Sequence, residues 1–217
     1  MKTDTQLQKD VEDVLHWERH LSSADITVVA RDGVVILSGT VNTFSKRQEA
    51  EDATKSVKGV KAVVEKIAVN LKGDGKFTDI DIANNLVRNF ASSWKIPKDV
   101  IKIKVEEGWI TISGTVHWNY QREAAKSIIQ HAPGVKGLTN DVIVVSDHTD
   151  VAEKKEIEKA LERSWSINAA SILVVVQENK AILKGKVNSL YAKEEATRIA
   201  WNAKGVWEVD NQLEVTW

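Results

Sequence analysis

The chain contains no cysteine, so no disulfide framework is open to it and its thiols say nothing of its compartment. No apolar run approaches the roughly 18 residues that a membrane-spanning helix needs. Residues 1–14 alternate charges with single apolar residues and hold no apolar h-region, so no secretory leader is read there. The expectation as written is a soluble cytoplasmic protein, periplasmic if a leader has been removed. An excess of positive charge is missing too. Lys and Arg total 30 against 31 for Asp and Glu, and each third balances: 11 against 11 up to Gly73, 9 against 9 from there to Asp147, and 10 against 11 beyond. That argues against a nucleic-acid footprint and a polybasic membrane anchor, which both depend on summed positive potential.

Catalytic patterns are equally scarce. No G-x-G-x-x-G, Walker A or H-E-x-x-H pattern occurs. Without cysteine or a convincing nucleophile and base pair, covalent catalysis has no footing. Of five histidines, only His16 and His20 have the i, i+4 spacing of two ligands on a helix. Glu12 is the nearest third donor, but a solvated helix end is the simpler reading. No enzyme activity, cofactor or metal is expected.

What the chain does have is a repeat. Leu37-Ser38-Gly39-Thr40-Val41 recurs as Ile112-Ser113-Gly114-Thr115-Val116 and as Leu183-Lys184-Gly185-Lys186-Val187, at offsets of 75 and 71. The same offsets carry Gly59-Val60 onto Gly134-Val135 and Gly205-Val206, Ile26 onto Ile101 and Ile172, Arg47 onto Arg122 and Lys193, and Ala50 onto Ala125 and Ala196. Agreement of independent anchors at one pair of offsets marks three copies of one unit.

Each copy reads alike. A first helix follows Thr3, Thr78 or Thr149, and Thr3 with Gln6 has capping-box spacing. Its stripe is Leu7, Val11, Val14, Leu15 in the first copy and Ile157, Ala160, Leu161 in the third, at helical period. Alternation through Ile101, Ile103 and Val105 then predicts a strand. A hairpin turn at Asp32-Gly33, Glu107-Gly108 or Glu178-Asn179 returns the chain into a second strand. A second helix, with Ala50, Ala53 and Val57 in the first copy, ends near Gly59, Gly134 or Gly205, read as left-handed cap residues. A last strand carries Val63, Ile67 and Val69, or Val209, Leu213 and Val215. The prediction is an α+β chain of three tandem αββαβ domains, at 1–72, 76–146 and 149–217. Each is a three-stranded mixed sheet with two helices on one face, and strands two and three are joined by a βαβ connection. Gly39, Gly114, Gly185, Gly59, Gly134 and Gly205 are the expected structural positions.

These residues resemble the BON domain, a bacterial module named for an osmotically inducible periplasmic protein and for nodulation proteins. The likeness rests on the strand glycine of Leu37-Ser38-Gly39-Thr40-Val41, on Arg47 with Ala50, on Gly59-Val60, and on their counterparts, with Asn140 and Asn211 in the last strands of the second and third copies. The first copy departs by carrying Glu65 there. The resemblance implies binding to phospholipid or membrane surfaces, a part in osmotic or envelope stress, and export for most members.

Eight tryptophans stand out. Trp94 and Trp165 align after the first helix, and Trp17 lies two positions before the matching Arg19. A core lid is expected of them, with Trp201, Trp207 and Trp217 in core or interdomain packing. The stretch between strand two and the second helix carries Phe44, then Trp118 and Tyr120, then Leu190 and Tyr191. These are the candidate lipid or partner contacts, because aromatic tips suit the headgroup level of a bilayer. The competing reading is that they staple the helix start. Outward sheet positions Val29, Val34, Ile36, Val64, Ala68, Leu173, Val175 and Ile182 are expected to pack on a neighbouring unit. Three functions remain in view: a phospholipid or envelope-surface module, a chaperone-like or protein-interaction scaffold using sheet faces, and nucleic-acid binding, which neutral charge and the lack of a GXXG loop disfavour.

Overall fold

The protein is described from a computed structural model at residues 2–21, 24–71, 77–145 and 154–216. The predicted cap Thr149, the terminal Trp217 and the linker at 72–76 lie outside the described residues. The first repeat runs α1 (Asp4–Trp17), β1 (Asp25–Arg31), β2 (Val34–Val41), α2 (Phe44–Ser56) and β3 (Ala62–Val69). The second runs α3 (Asp79–Ser92), β4 (Ile101–Glu106), β5 (Trp109–Val116), α4 (Asn119–Gln130) and β6 (Gly137–Val144). The third runs α5 (Lys154–Glu162), a 3-10 turn (Ala169–Ser171), β7 (Ile172–Gln177), β8 (Lys180–Val187), α6 (Leu190–Trp201) and β9 (Glu208–Val215).

Three sheets form, ordered β1-β2-β3, β4-β5-β6 and β7-β8-β9. In the second, β4 pairs antiparallel with β5, and β5 parallel with β6; the third repeats this with β7, β8 and β9. The mixed sheet is thus the predicted one. The same backbone bonds recur at the two offsets. Lys61, Lys136 and Trp207 donate to the carbonyls of Gly33, Gly108 and Asn179, and Asn70, Val145 and Thr216 donate to those of Val41, Val116 and Val187.

Capping opens the first helices as expected. Thr3 Oγ1 accepts from the Gln6 amide while Gln6 Oε1 accepts from the Thr3 amide, and Thr78 with Asp81 closes the same box. Each of these helices also reaches forward. Asp4 Oδ1 accepts from the Asp32 amide at 2.9 Å, and Asp79 accepts from the amides of Glu107 and Gly108 at 2.8 and 2.9 Å. Those bonds hold hairpin turns in which Asp32 and Glu107 take φ of 52° and 51°, a region that side chains disfavour.

The strand glycine has a steric reason. A Cβ on Gly114 would lie 2.1 Å from the carbonyl oxygen of Val100, and one on Gly185 2.1 Å from that of Ser171. The glycines after the second helices do hold left-handed φ, but they are not the cap residues themselves. The helices end at Ser56, Gln130 and Trp201, and Gly59 and Gly205 sit third in a following turn closed by Val57–Val60 and Ala203–Val206 bonds.

The chain divides into two compact units. One comprises Met1–Ser38, Glu49–Lys66 and His148–Trp217; the other comprises Gly39–Gln48 and Ile67–Asp147. In the first, the core of the third repeat gathers Ile157 and Leu161 of α5, Val174, Leu183 and Leu213 of the sheet, and Ala196 of α6. Lys55 Nζ there bridges Glu51 at 2.9 Å and Glu194 at 2.8 Å. Burial alone would lower the Lys55 ammonium, and the two carboxylates more than offset it, so its pKa lies above the ordinary value. In the second unit, the core joins Ile82 and Leu86 of α3 to Ile110, Ile112, Ile129 and Val142. The outer sheet faces stay open at Val29, Val64, Ala68 and Leu173, while Val34, Ile36, Val175 and Ile182 are half-buried. The expected cover by a neighbouring unit is therefore not seen at the first four: a single sheet carrying helices on one face leaves its other face wet.

Candidate functional site

The predicted contact residues begin a helix instead of forming a loop. Thr43 Oγ1 accepts from the Lys46 amide, Gln121 Oε1 from the amides of His117 and Trp118, and Ser189 Oγ from the Ala192 amide. Satisfying these orphan donors starts α2, α4 and α6 directly behind the strands. Phe44 is consequently buried, 5% exposed, and belongs to the same apolar cluster as Ile82 and Ile110. Trp118, Leu190 and Tyr191 are half-buried, and Tyr120 alone of the set is exposed, at 48%.

The tryptophans after the first helices do the reverse. Trp17, Trp94 and Trp165 are 85%, 86% and 94% exposed, so the core-lid expectation fails at all three. The reason lies a few residues on. Leu21, Ile96 and Ile167, equivalent under the two offsets, are all buried and close the core beneath the helix end. With that space filled, the indoles are left in solvent. Lys95 Nζ lies 5.7 Å from the Trp94 ring centroid, so one indole has an ammonium beside it. The sequence signal was present in the apolar residues at 21, 96 and 167, which compete for the position assigned to the larger rings. Of the remaining rings, Trp201 and Trp207 are half-buried, and Trp109 is partly exposed over Gly137 with its Nε1 donating to Thr139 Oγ1 at 2.9 Å.

Polar chemistry is structural in character. Asn211 Nδ2 donates to the Lys193 carbonyl and to Thr197 Oγ1, and its Oδ1 accepts from the Leu213 amide, binding α6 to β9. Asn140 Oδ1 accepts from the Val142 amide. Burial lowers the Arg122 guanidinium, and Glu123 offsets this in part. Hydrogen bonding to Glu208 chiefly raises the Lys180 ammonium, with Asp210 adding to it. His16 and His20 are both exposed, and α1 ends at Trp17, so His20 is not on the helix that was to present the pair. Among the described residues no group of three His, Asp or Glu is placed to hold a metal ion, and no helix is long and apolar enough to cross a membrane. A depression of about 740 Å³ lies among Lys2, Asp4, Gly33, Lys58, Lys61, Asn188 and Thr216; Lys2 is paired with Asp10.

The geometry can be set beside known proteins. Osmotically-inducible protein Y of Escherichia coli (strain K12) is 28% identical over 143 residues, 64% of this chain and 71% of the relative. Among solved structures, CdsD, a structural protein of the Type III secretion system of Chlamydia trachomatis, is 17% identical, with 96% of this chain and 91% of that one covered at a TM-score of 0.25. Its C-terminal domain is 18% identical over the whole of both chains at a TM-score of 0.27. Scores of that size do not establish a common fold. The BON domain family, by contrast, is matched three times, at residues 3–70, 78–146 and 149–216, in step with the three αββαβ units. The chain belongs to the BON domain family and carries that domain in three tandem copies.

Proposed function

We propose that this chain is a non-catalytic protein of osmotic or envelope stress that binds phospholipid membrane surfaces through repeated shallow aromatic contacts. The observation that carries this reading is the exposure of Trp17, Trp94 and Trp165, one at the end of the first helix in each repeat. An indole is apolar in body and polar at one edge, which suits the headgroup level. A single such anchor is marginal, but three tethered anchors raise one another's effective concentration. With formal net charge of −1, long-range attraction to an anionic surface is weak, so apolar insertion supplies the binding. The likeness to an osmotically inducible protein supports the stress setting.

The test is co-sedimentation with neutral and with anionic vesicles, comparing the chain with a variant carrying Trp17→Ser, Trp94→Ser and Trp165→Ser. The bound fraction falls sharply in the variant and changes little with salt. Unchanged binding by the triple variant, or binding abolished by salt alone, rejects the insertion reading. A second reading, an interaction scaffold, is favoured by the exposed sheet positions Val29, Val64 and Leu173. It calls for suppression of client aggregation that Leu173→Ser weakens and the tryptophan changes do not.

A further inference from the structure

We propose that α3 docks antiparallel against α3 of a second copy of this chain. The three first helices form an internal comparison. Their inner faces agree: Leu7 and Val11 in α1, Ile82 and Leu86 in α3, Ile157 and Leu161 in α5, all buried. Their outer faces do not. α1 presents Thr5, Lys9, Glu12 and His16; α5 presents Lys155, Glu158 and Glu162, the position of Val151 lying outside the described residues. At the equivalent places α3 presents Ile80, Asn84, Val87 and Ala91, with Ile80 72% and Val87 57% exposed. A helix that is apolar on both faces has one face without a partner. The intervals of four, three and four residues between these positions average about 3.7, close to the 3.6-residue turn, so the four positions line one stripe along the helix.

Charge selects the occupant. Asp81 and Arg88 lie on one flank of this seam, the acid near the helix start and the base near its end. Turning a second copy end for end sets Ile80 on Ala91 and Asn84 on Val87, and brings each Asp81 beside the other copy's Arg88. A parallel pair instead sets Arg88 beside Ala83, with no counter-charge. Arg88 makes no ion pair among the described residues, and Asp81 uses Oδ2 for its cap, leaving Oδ1 for a guanidinium. The same flank borders a depression of about 660 Å³ lined by Phe77, Asp81, Asn85, Arg88 and Pro133, which gives the partner's side chains room. A helix of 14 residues is about 21 Å long. A seam that short falls below the usual interface of about 1,600 Å², so the dimer is weak and concentration-dependent.

Sedimentation equilibrium of the full chain from micromolar to millimolar concentration tests this. The wild type associates; Arg88→Glu alone and Asp81→Lys alone remain monomeric, with circular dichroism confirming that both are folded. An equimolar mixture of the two variants associates again, because the mixed pair restores both contacts. In the cysteine-free chain, Ile80→Cys mixed with Ala91→Cys crosslinks on oxidation. Ile80→Cys alone does not, since antiparallel packing separates the two like residues by about 16 Å along the axis. A monomeric wild type at all concentrations, variants that associate like wild type, a mixture no better than its parts, or crosslinking by Ile80→Cys alone each overturns the proposal. So does loss of vesicle binding in Arg88→Glu with no change in solution mass, which would assign the face to lipid.

Discussion

Arg47 donates from Nη1 to the carbonyl oxygen of Lys136 at 3.1 Å, joining two residues 89 positions apart. The same guanidinium lies 5.8 Å from the ring centroids of both Phe44 and Trp109. A charge-assisted bond and cation–π contacts are combined in one side chain. Replacing Arg47 by Ala is expected to destabilise the unit comprising Gly39–Gln48 and Ile67–Asp147 by about 1–3 kcal/mol. Arg47→Lys keeps the charge but not the planar fork, and recovers only part of this. Denaturant unfolding followed by Trp109 fluorescence against the other indoles, assigned by single Trp→Phe changes, measures it.

The glycines form a graded series. Gly114→Ala and Gly185→Ala drive a methyl into a backbone carbonyl at 2.1 Å. Each is expected to unfold its repeat or cost more than about 4 kcal/mol, the range reserved for exceptional substitutions. At Gly134 the new Cβ meets Phe77 and Ile82 side chains at 2.7 and 2.8 Å, so the cost is intermediate. At Gly59 the nearest atom is Leu7 Cδ1 at 3.2 Å, and the left-handed φ dominates, at about 1 kcal/mol. Thermal melts in which Gly59→Ala proved the most harmful would contradict the order.

Gly114 and Gly185 announced themselves because a Cβ at either would meet a backbone carbonyl, and Gly39 shares their positive φ, so the repeat shows the residue three times. Element order, strand pairing and the capping box of Thr3 with Gln6 came from local pattern in the same way. The aromatic residues did not yield to that logic. Whether Phe44 or Trp94 reaches water depends on which neighbour fills a shared space first, and that choice is made by packing over distances that periodicity does not report. Leu21, Ile96 and Ile167 settle it against the indoles, and the helix caps at Thr43, Gln121 and Ser189 settle it against a free loop.

Asp81 makes an acid-dependent contribution. Its hydrogen bonds with Thr78 hold the carboxyl below its ordinary value of 3.8. A lowered folded-state pKa means that this stabilisation is complete above the unfolded value and is lost as pH falls through the folded one. Asp81→Asn is expected to be less stable than wild type at neutral pH, with the difference narrowing on acidification below the ordinary carboxyl range. A difference that stays constant through that window would remove the carboxylate from the account.

Asn211 should matter more than its half-exposed position suggests. Ala there removes the amide that donates to the Lys193 carbonyl and Thr197 Oγ1 of α6, and the oxygen that accepts from the Leu213 amide of β9. A loss of about 1–3 kcal/mol is expected, because the freed partners are partly buried. Asn211→Asp keeps the acceptor and should retain part of the stability.

The bonds that Asp4 accepts from Asp32, and Asp79 from Glu107 and Gly108, make the first two hairpin tips depend on helices made 28 or 29 residues earlier. During synthesis the helix emerges first with its carboxylate unmatched, and the strained turn is fastened only when the first two strands have followed it. In hydrogen-exchange terms the turn amides of Asp32 and Glu107 then open with the helix start and not with the strand ends beside them. The tip of the hairpin, usually the first part of a sheet to fray, becomes a latch released only when the helix lets go.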